Sequence, residues 1–240
     1  MRIQNIKGII DRRILVNFTV EPEIIKKIVP LPFSPKIYEG KAIAGICLIR
    51  LKHIRPKGFP EMISISSENG AHRIAVEWME NGIKKEGVYI PRRDSSSVFN
   101  NLAGGRIFPG KHFHTKFAVD ETKDHYRVSF KASDNTNILI EAEKSDSFNQ
   151  NSIFKTLDNA SAFFEKGSVG YSPHAGKFEG IELRTYNWKV QALKVNIAKS
   201  SFFENENVFP PGSVQFDNAL LMKEVAHEWN YIGQISRDVT

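Results

Sequence analysis

Three segments rich in β-branched and aromatic residues, KHFHTKFAV (111–119), HYRVSFKA (125–132) and NILIEAEK (137–144), are separated only by polar turns at Asp120–Asp124 and Ser133–Asn137. A parallel crossover needs a dozen or more residues, usually a helix. These gaps are too short for one, so the segments predict an antiparallel meander. The rest of the chain repeats the theme. RILVNFTV (13–20), Lys41–Lys52, HRIAVEWM (72–79), EGVYIP (86–91), Gly180–Ala198 and Ser213 to about Met222 read as strands. Asn81-Gly82 is a hairpin signal, and Pro210-Pro211-Gly212 is a turn.

Three helices are expected: EIIKKIVP behind Pro22, a segment from about Ser96 to Ile107, and SIFKTLDNASAFFEKG (152–167), which ends at Gly167. They fall between blocks of strands instead of alternating with each strand. That order predicts an α+β fold with a mostly antiparallel sheet and excludes a parallel Rossmann sheet. No repeat or linker-like shift interrupts it, so residues 1–240 read as one domain.

Several function classes drop out at once. Gly104-Gly105-Arg106 lacks the further glycines of a dinucleotide or Walker loop and reads as the end of a helix. The longest apolar run, Ala42–Ile49, has eight residues, against about 20 for a bilayer span. No membrane crossing is expected, and MRIQNIKGIIDRR carries no secretory h-region, which makes a cytoplasmic location the expectation. The net charge of +6 comes from 33 basic and 27 acidic residues interspersed along the chain, a pattern that argues against a nucleic-acid partner. Cys47, the single cysteine, excludes disulfides and multi-thiolate zinc, and its apolar surroundings make it a core residue. No cofactor is implied.

The densest chemistry lies in Pro109-Gly110-Lys111-His112-Phe113-His114, an amine and two imidazoles within four positions. If the segment is extended, Lys111 and His112 face opposite sides. His112 and His114 share a face, but no carboxylate completes a metal set, and no metal is expected. His227-Glu228-Trp229 lacks the second histidine of a zincin helix. The pairs Arg12-Arg13 and Arg92-Arg93 suit an anion, although solvated strand ends are the ordinary reading of such pairs.

EIIKKIVPLPF (23–33), preceded by LVNFTV, resembles the N-terminal helix and double-proline exit of acetoacetate decarboxylase. GGRIFPGKHF (104–113) resembles that enzyme's Gly-Arg, aromatic, Pro-Lys-Lys segment, which carries the Schiff-base lysine. FFEKGSVGYSPHAGKFEGIELRTYNWKVQAL and SSFFENENVFPPGSVQFDNALLMKEVAHEW are similar to an uncharacterised bacterial branch of the same superfamily, so the likeness runs from about Arg13 to Trp229. It implies a sheet curled into a cone or barrel around an internal cavity, with a few short outer helices.

In the family mechanism a neutral, desolvated lysine condenses with a β-keto acid. Without gaps, Gly110 falls at the Schiff-base position and Lys111 at the second lysine. A slip of one residue makes Lys111 the nucleophile, followed by His112. Aligned instead on Pro91, Arg92 and Arg93 take both places, and guanidinium groups form no imines. The family's cavity arginine falls on Arg12 or Arg13, a carboxylate on Glu77, and a further binding residue on Arg184. The resemblance thus implies a cavity protein that binds a small carboxylate or carbonyl compound through Lys111, His112 and these residues. The alternative is a decarboxylase-, aldolase- or dehydratase-type lyase that uses Lys111 on an oxo acid. Exposed sheet edges allow pairing into a homo-oligomer.

Overall fold

The computed structural model describes residues 5–97, 110 and 112–236. Thirteen strands make one sheet. They are β1 (Asn5–Val20), β2 (Ser34–Pro35), β3 (Ile37–Tyr38), β4 (Lys41–Pro56), β5 (Ile65–Glu80), β6 (Ile83–Ser95) and β7 (His112–Glu121). The remainder are β8 (His125–Ala132), β9 (Asn137–Lys144), β10 (Val169–His174), β11 (Lys177–Thr185), β12 (Gln191–Ser200) and β13 (Val214–Ser236). Two α-helices, α1 (Pro22–Ile28) and α2 (Leu157–Lys166), complete the described residues with one 3-10 turn at Glu61–Ile63. No helix among them is long and apolar enough to cross a membrane.

The strand path closes on itself, giving a ring of strands and not a true barrel. Because β11 pairs with β13 and β5 with β6, seven strands, β13–β1–β4–β5–β6–β10–β11, form one closed circuit. A second circuit leaves β6 through the meander β7–β8–β9 and returns through β12 to β13. All pairs are antiparallel except β6 with β7 and β6 with β10. The wall β1–β4–β5 belongs to both circuits.

That position explains the apolar run at Ala42–Ile49: β4 is buried on both faces, so its sequence does not alternate. Ala42, Ala44, Ile46 and Leu48 join one hydrophobic cluster, with β8, β9 and β12. Ile43, Cys47, Ile49 and Leu51 join the other, under α2. The Asn81-Gly82 turn has φ of 52° and 75°, the left-handed pair that a two-residue hairpin requires.

α1 begins on Pro22, with Glu23 in its first turn and Lys26 and Lys27 in its last, where each charge suits the helix dipole. α2 is shorter than the pattern from Ser152 predicts. Asp217 captures the preceding turn, accepting from Ser152 Oγ at 2.7 Å and the Ile153 amide at 2.8 Å, and Lys155 takes φ of 64°. The helix therefore starts after Thr156, whose hydroxyl accepts the Asn159 amide at 3.2 Å. The strand β10 had no separate sequence signal. The helix expected from Ser96 to Ile107 lies almost wholly outside the described residues.

Candidate functional site

All seven strands of the smaller circuit line one cavity of about 110 Å³. Its walls are mostly apolar, but three arginines enter it: Arg13 from β1, Arg73 from β5 and Arg93 from β6. Strand register sets their arrangement. Leu15, Cys47, Ala71 and Arg93 form one cross-strand row. Arg13, Ile49 and Asn69 form the row on one side of it, and Asn17, Gly45 and Arg73 the row on the other. Cys47 thus occupies the middle of the floor, and Arg13 Nε lies 3.4 Å from its Sγ.

A bulge decides which of the two N-terminal arginines enters. The register of β1 against β4 shifts between Ile10 and Arg12, so two consecutive residues turn to the same side. Asp11 and Arg12 both join a charged network away from the cavity. Arg12 is fully buried and donates to Glu68 at 2.6 Å and Glu121 at 2.7 Å. Arg50 binds the same two carboxylates, each at 2.5 Å, and Asp11 meets Lys52 at 2.7 Å. Arg13 faces the cavity.

None of the three cavity arginines has a carboxylate within ion-pairing distance among the described residues. Arg93 Nε donates to Ser172 Oγ at 3.0 Å, while its Nη2 is buried without a hydrogen-bond partner. Arg73 Nη2 donates to Asn17 Oδ1, its Nε is buried and unpartnered, and its guanidinium lies 4.8 Å from the Phe164 ring of α2. Arg13 reaches two sulfur atoms, Cys47 Sγ and Met222 Sδ, both weak acceptors. Desolvation pushes Arg73 and Arg93 down to about 10, still protonated at neutral pH. Asp94, the one carboxylate on the lining among the described residues, is held by Arg92 through two contacts of 2.8 Å.

Gly45 makes the Arg73 contact possible. A Cβ there would sit 2.4 Å from the Val16 carbonyl oxygen and 3.3 Å from Asn17 Oδ1. Beyond Asn17 a chain of amides continues: Asn17 Nδ2 donates to Asn218 Oδ1 at 2.7 Å, and Asn218 Nδ2 to Asp217 Oδ2 at 2.5 Å. The buried carboxylate of Asp217 stands at its far end.

Of the residues singled out from the sequence, Arg13 and His112 line the cavity. Glu77 pairs with Lys84 at 2.7 Å across the β5–β6 hairpin, and Arg184 is exposed and bound to Glu182 at 2.8 Å. Neither is on the lining. Lys111 lies outside the described residues. Its neighbour Gly110 has φ of 90°, and a Cβ there would meet Ser172 Cβ at 2.6 Å, so the backbone at the ungapped Schiff-base position admits glycine alone. Arg92 and Arg93 are not solvated strand ends, because β6 continues to Ser95 and carries both inward from its end. Arg73 was not anticipated. Its signal was the pattern Ala71-x-Arg73-x-Ala75, which puts small neighbours on the face where a long cation points.

Among curated proteins none matches the chain. Several solved structures share its fold. Acetoacetate decarboxylase from Legionella pneumophila superposes with a TM-score of 0.58 at 12% identity, over 96% of this chain and 87% of that one. An acetoacetate decarboxylase-like enzyme from Sphingomonas wittichii RW1 gives 0.56 at 8%, over 98% and 93%. The enduracididine biosynthesis enzyme MppR, complexed with pyruvate, gives 0.52 at 10%, over 98% and 90%. Residues 10–222 match the model of DUF2071, described as an uncharacterized conserved protein. The chain therefore belongs to that family, and its fold is that of the acetoacetate decarboxylase structures.

Proposed function

We propose that this protein binds a small carboxylate inside the seven-strand circuit. The observation that carries the reading is the set of three guanidinium groups, Arg13, Arg73 and Arg93, on one small cavity without acid partners. A buried charge left uncompensated costs several kcal/mol, and an anion recovers that cost through paired, charge-assisted hydrogen bonds. The mostly apolar walls lower the local dielectric and strengthen those contacts. A volume of about 110 Å³, well below the roughly 300–1,000 Å³ of pockets for drug-sized ligands, restricts the guest to a small molecule. The pyruvate complex of MppR, on the same fold, supports a short oxo acid.

Calorimetry and thermal unfolding with a panel of short carboxylates, pyruvate and acetoacetate among them, test the reading. Saturating ligand at about a hundred times Kd should add about 2.7 kcal/mol of stability. Arg73→Met should lose that gain. It should also leave the empty protein at least as stable as the parent, because it removes a buried, partly satisfied cation. A panel that neither releases heat nor shifts unfolding overturns the reading.

The second reading, an imine-forming lyase using Lys111, draws on the placement of its neighbours. Gly110 packs on Ser172 near Arg93, and His112 lines the cavity. In such an enzyme the neutral amine condenses with a ketone, water leaves, and the iminium takes up the electrons released when a carbon–carbon bond breaks. Borohydride reduction in the presence of pyruvate or acetoacetate should then fix an adduct on Lys111, read by mass spectrometry. No adduct across a set of oxo acids rejects catalysis and leaves binding standing.

A further inference from the structure

The carboxylate reading can be carried to a ligand class by counting the charges that the cavity leaves unbalanced. Asp94 is committed to Arg92 through two contacts of 2.8 Å, and the second carboxylate on Arg92, Asp134, is exposed to solvent and off the lining, so Asp94 adds no unpaired negative charge there. One of the three cavity cations has a distant counter-charge. Arg73 leans on Asn17, Asn17 on Asn218, and Asn218 on the Asp217 carboxylate. Each amide in that relay is oriented by the next, so the negative end of the series is presented to Arg73. Among the described residues Arg13 and Arg93 have no such relay: one rests on sulfur, the other on a serine hydroxyl. Two positive charges therefore remain.

The cavity's shape separates them. A chamber of about 30 Å³ adjoins the main one and shares Arg13, Arg73, Val88 and Gly167 with it. Arg93 and His112 line the main chamber only. Guanidinium donors thus stand at two places in adjacent hollows, with Val88 and Gly167 on the lining of both; Lys36, the other cation on the smaller one, is paired with Glu86 at 2.5 Å.

We propose that the ligand is a short-chain dicarboxylate, with one carboxylate at Arg93 and the other between Arg13 and Arg73. This rests on the carboxylate reading and narrows it. A monocarboxylate would leave one guanidinium buried without a counter-charge; a dicarboxylate answers both.

The test is calorimetry on the full chain, at one ionic strength, with succinate, 2-oxoglutarate, pyruvate and acetate, with thermal unfolding as a second readout. At least one dicarboxylate should bind about tenfold or more tightly than either monocarboxylate, the increment expected of a second charge-assisted pair. In Arg93→Gln that ratio should fall to about one, whereas Arg93→Lys, which keeps the charge but loses the planar fork, should hold it above one and below the parent's value. Pyruvate or acetate binding as tightly as both dicarboxylates would overturn the proposal and leave the carboxylate reading intact. No binding by any of the four would overturn both. An unchanged ratio in a folded Arg93→Gln protein would overturn the placement at Arg93. Should Arg93→Gln fail to fold, a ratio in Arg93→Lys equal to or above that of the parent would do the same.

Discussion

His72 is fully buried on the other face of the β1–β4–β5 wall, with its Nε2 2.9 Å from Ser200 Oγ and its ring 4.6 Å from that of Phe202. Burial, aided by nearby Arg92, pushes its pKa down from 6.5 to about 3. His227, packed edge-on against Trp229, is pushed by burial to about 4. The sign follows from linkage. Unfolded chains take up a proton on each histidine below about 6.5, and the folded protein does not until much lower. Stability should therefore fall as pH drops from about 6.5 toward 4. In His72→Asn the dependence of unfolding free energy on pH over that window should be shallower by about one proton, measured from urea midpoints at several pH values. A slope equal to the parent's would show that His72 is charged in the fold. Neither histidine's state was visible in the sequence, because burial of a strand residue depends on which partner strand covers it.

Among the elements, β4 carries the most structural consequence. Gly45 touches β1 on one side and stands opposite Arg73 on β5. In Gly45→Ala the new methyl must displace the Val16 carbonyl or the Asn17 side chain. Overpacking of this kind costs about 1–3 kcal/mol. Carboxylate affinity should drop with it, since the Arg73–Asn17 contact runs through the same space; chemical denaturation and calorimetry on one preparation would show both. The elements themselves were largely legible. The meander, the Asn81-Gly82 hairpin, α1 and the end of α2 at Gly167 all follow from local signals. The sequence VGYSPH of β10 did not announce a strand, because glycine, serine and proline hide a segment held by its hairpin with β11 and by long-range pairing with β6. The choice between Arg12 and Arg13 was also out of reach. A bulge inverts the facing of every later residue, and periodicity carries no record of it.

For the molecule as a whole, closure of the smaller circuit depends on the far end of β13, from His227 to Ser236, where it pairs with β11. Removing the chain after Ala226 should open that circuit and leave the meander circuit paired. Amide exchange in β10 and β11 should then quicken about tenfold or more while β7–β9 keep their protection. Equal loosening throughout would mean that the two circuits fold as one cooperative unit. This closure was not written in any local pattern; the likeness to acetoacetate decarboxylase implied a curled sheet, and only the three-dimensional pairing shows which strands meet. It also fixes where the chain's solitary sulfur ends up. In 240 residues there is one thiol, and it is set in the floor of the hollow. A trifluoromethyl tag attached to it would yield one fluorine resonance, free of background, from the spot where an incoming guest displaces solvent. Fractionated metabolite extracts could then be screened for the natural occupant by watching a single line move.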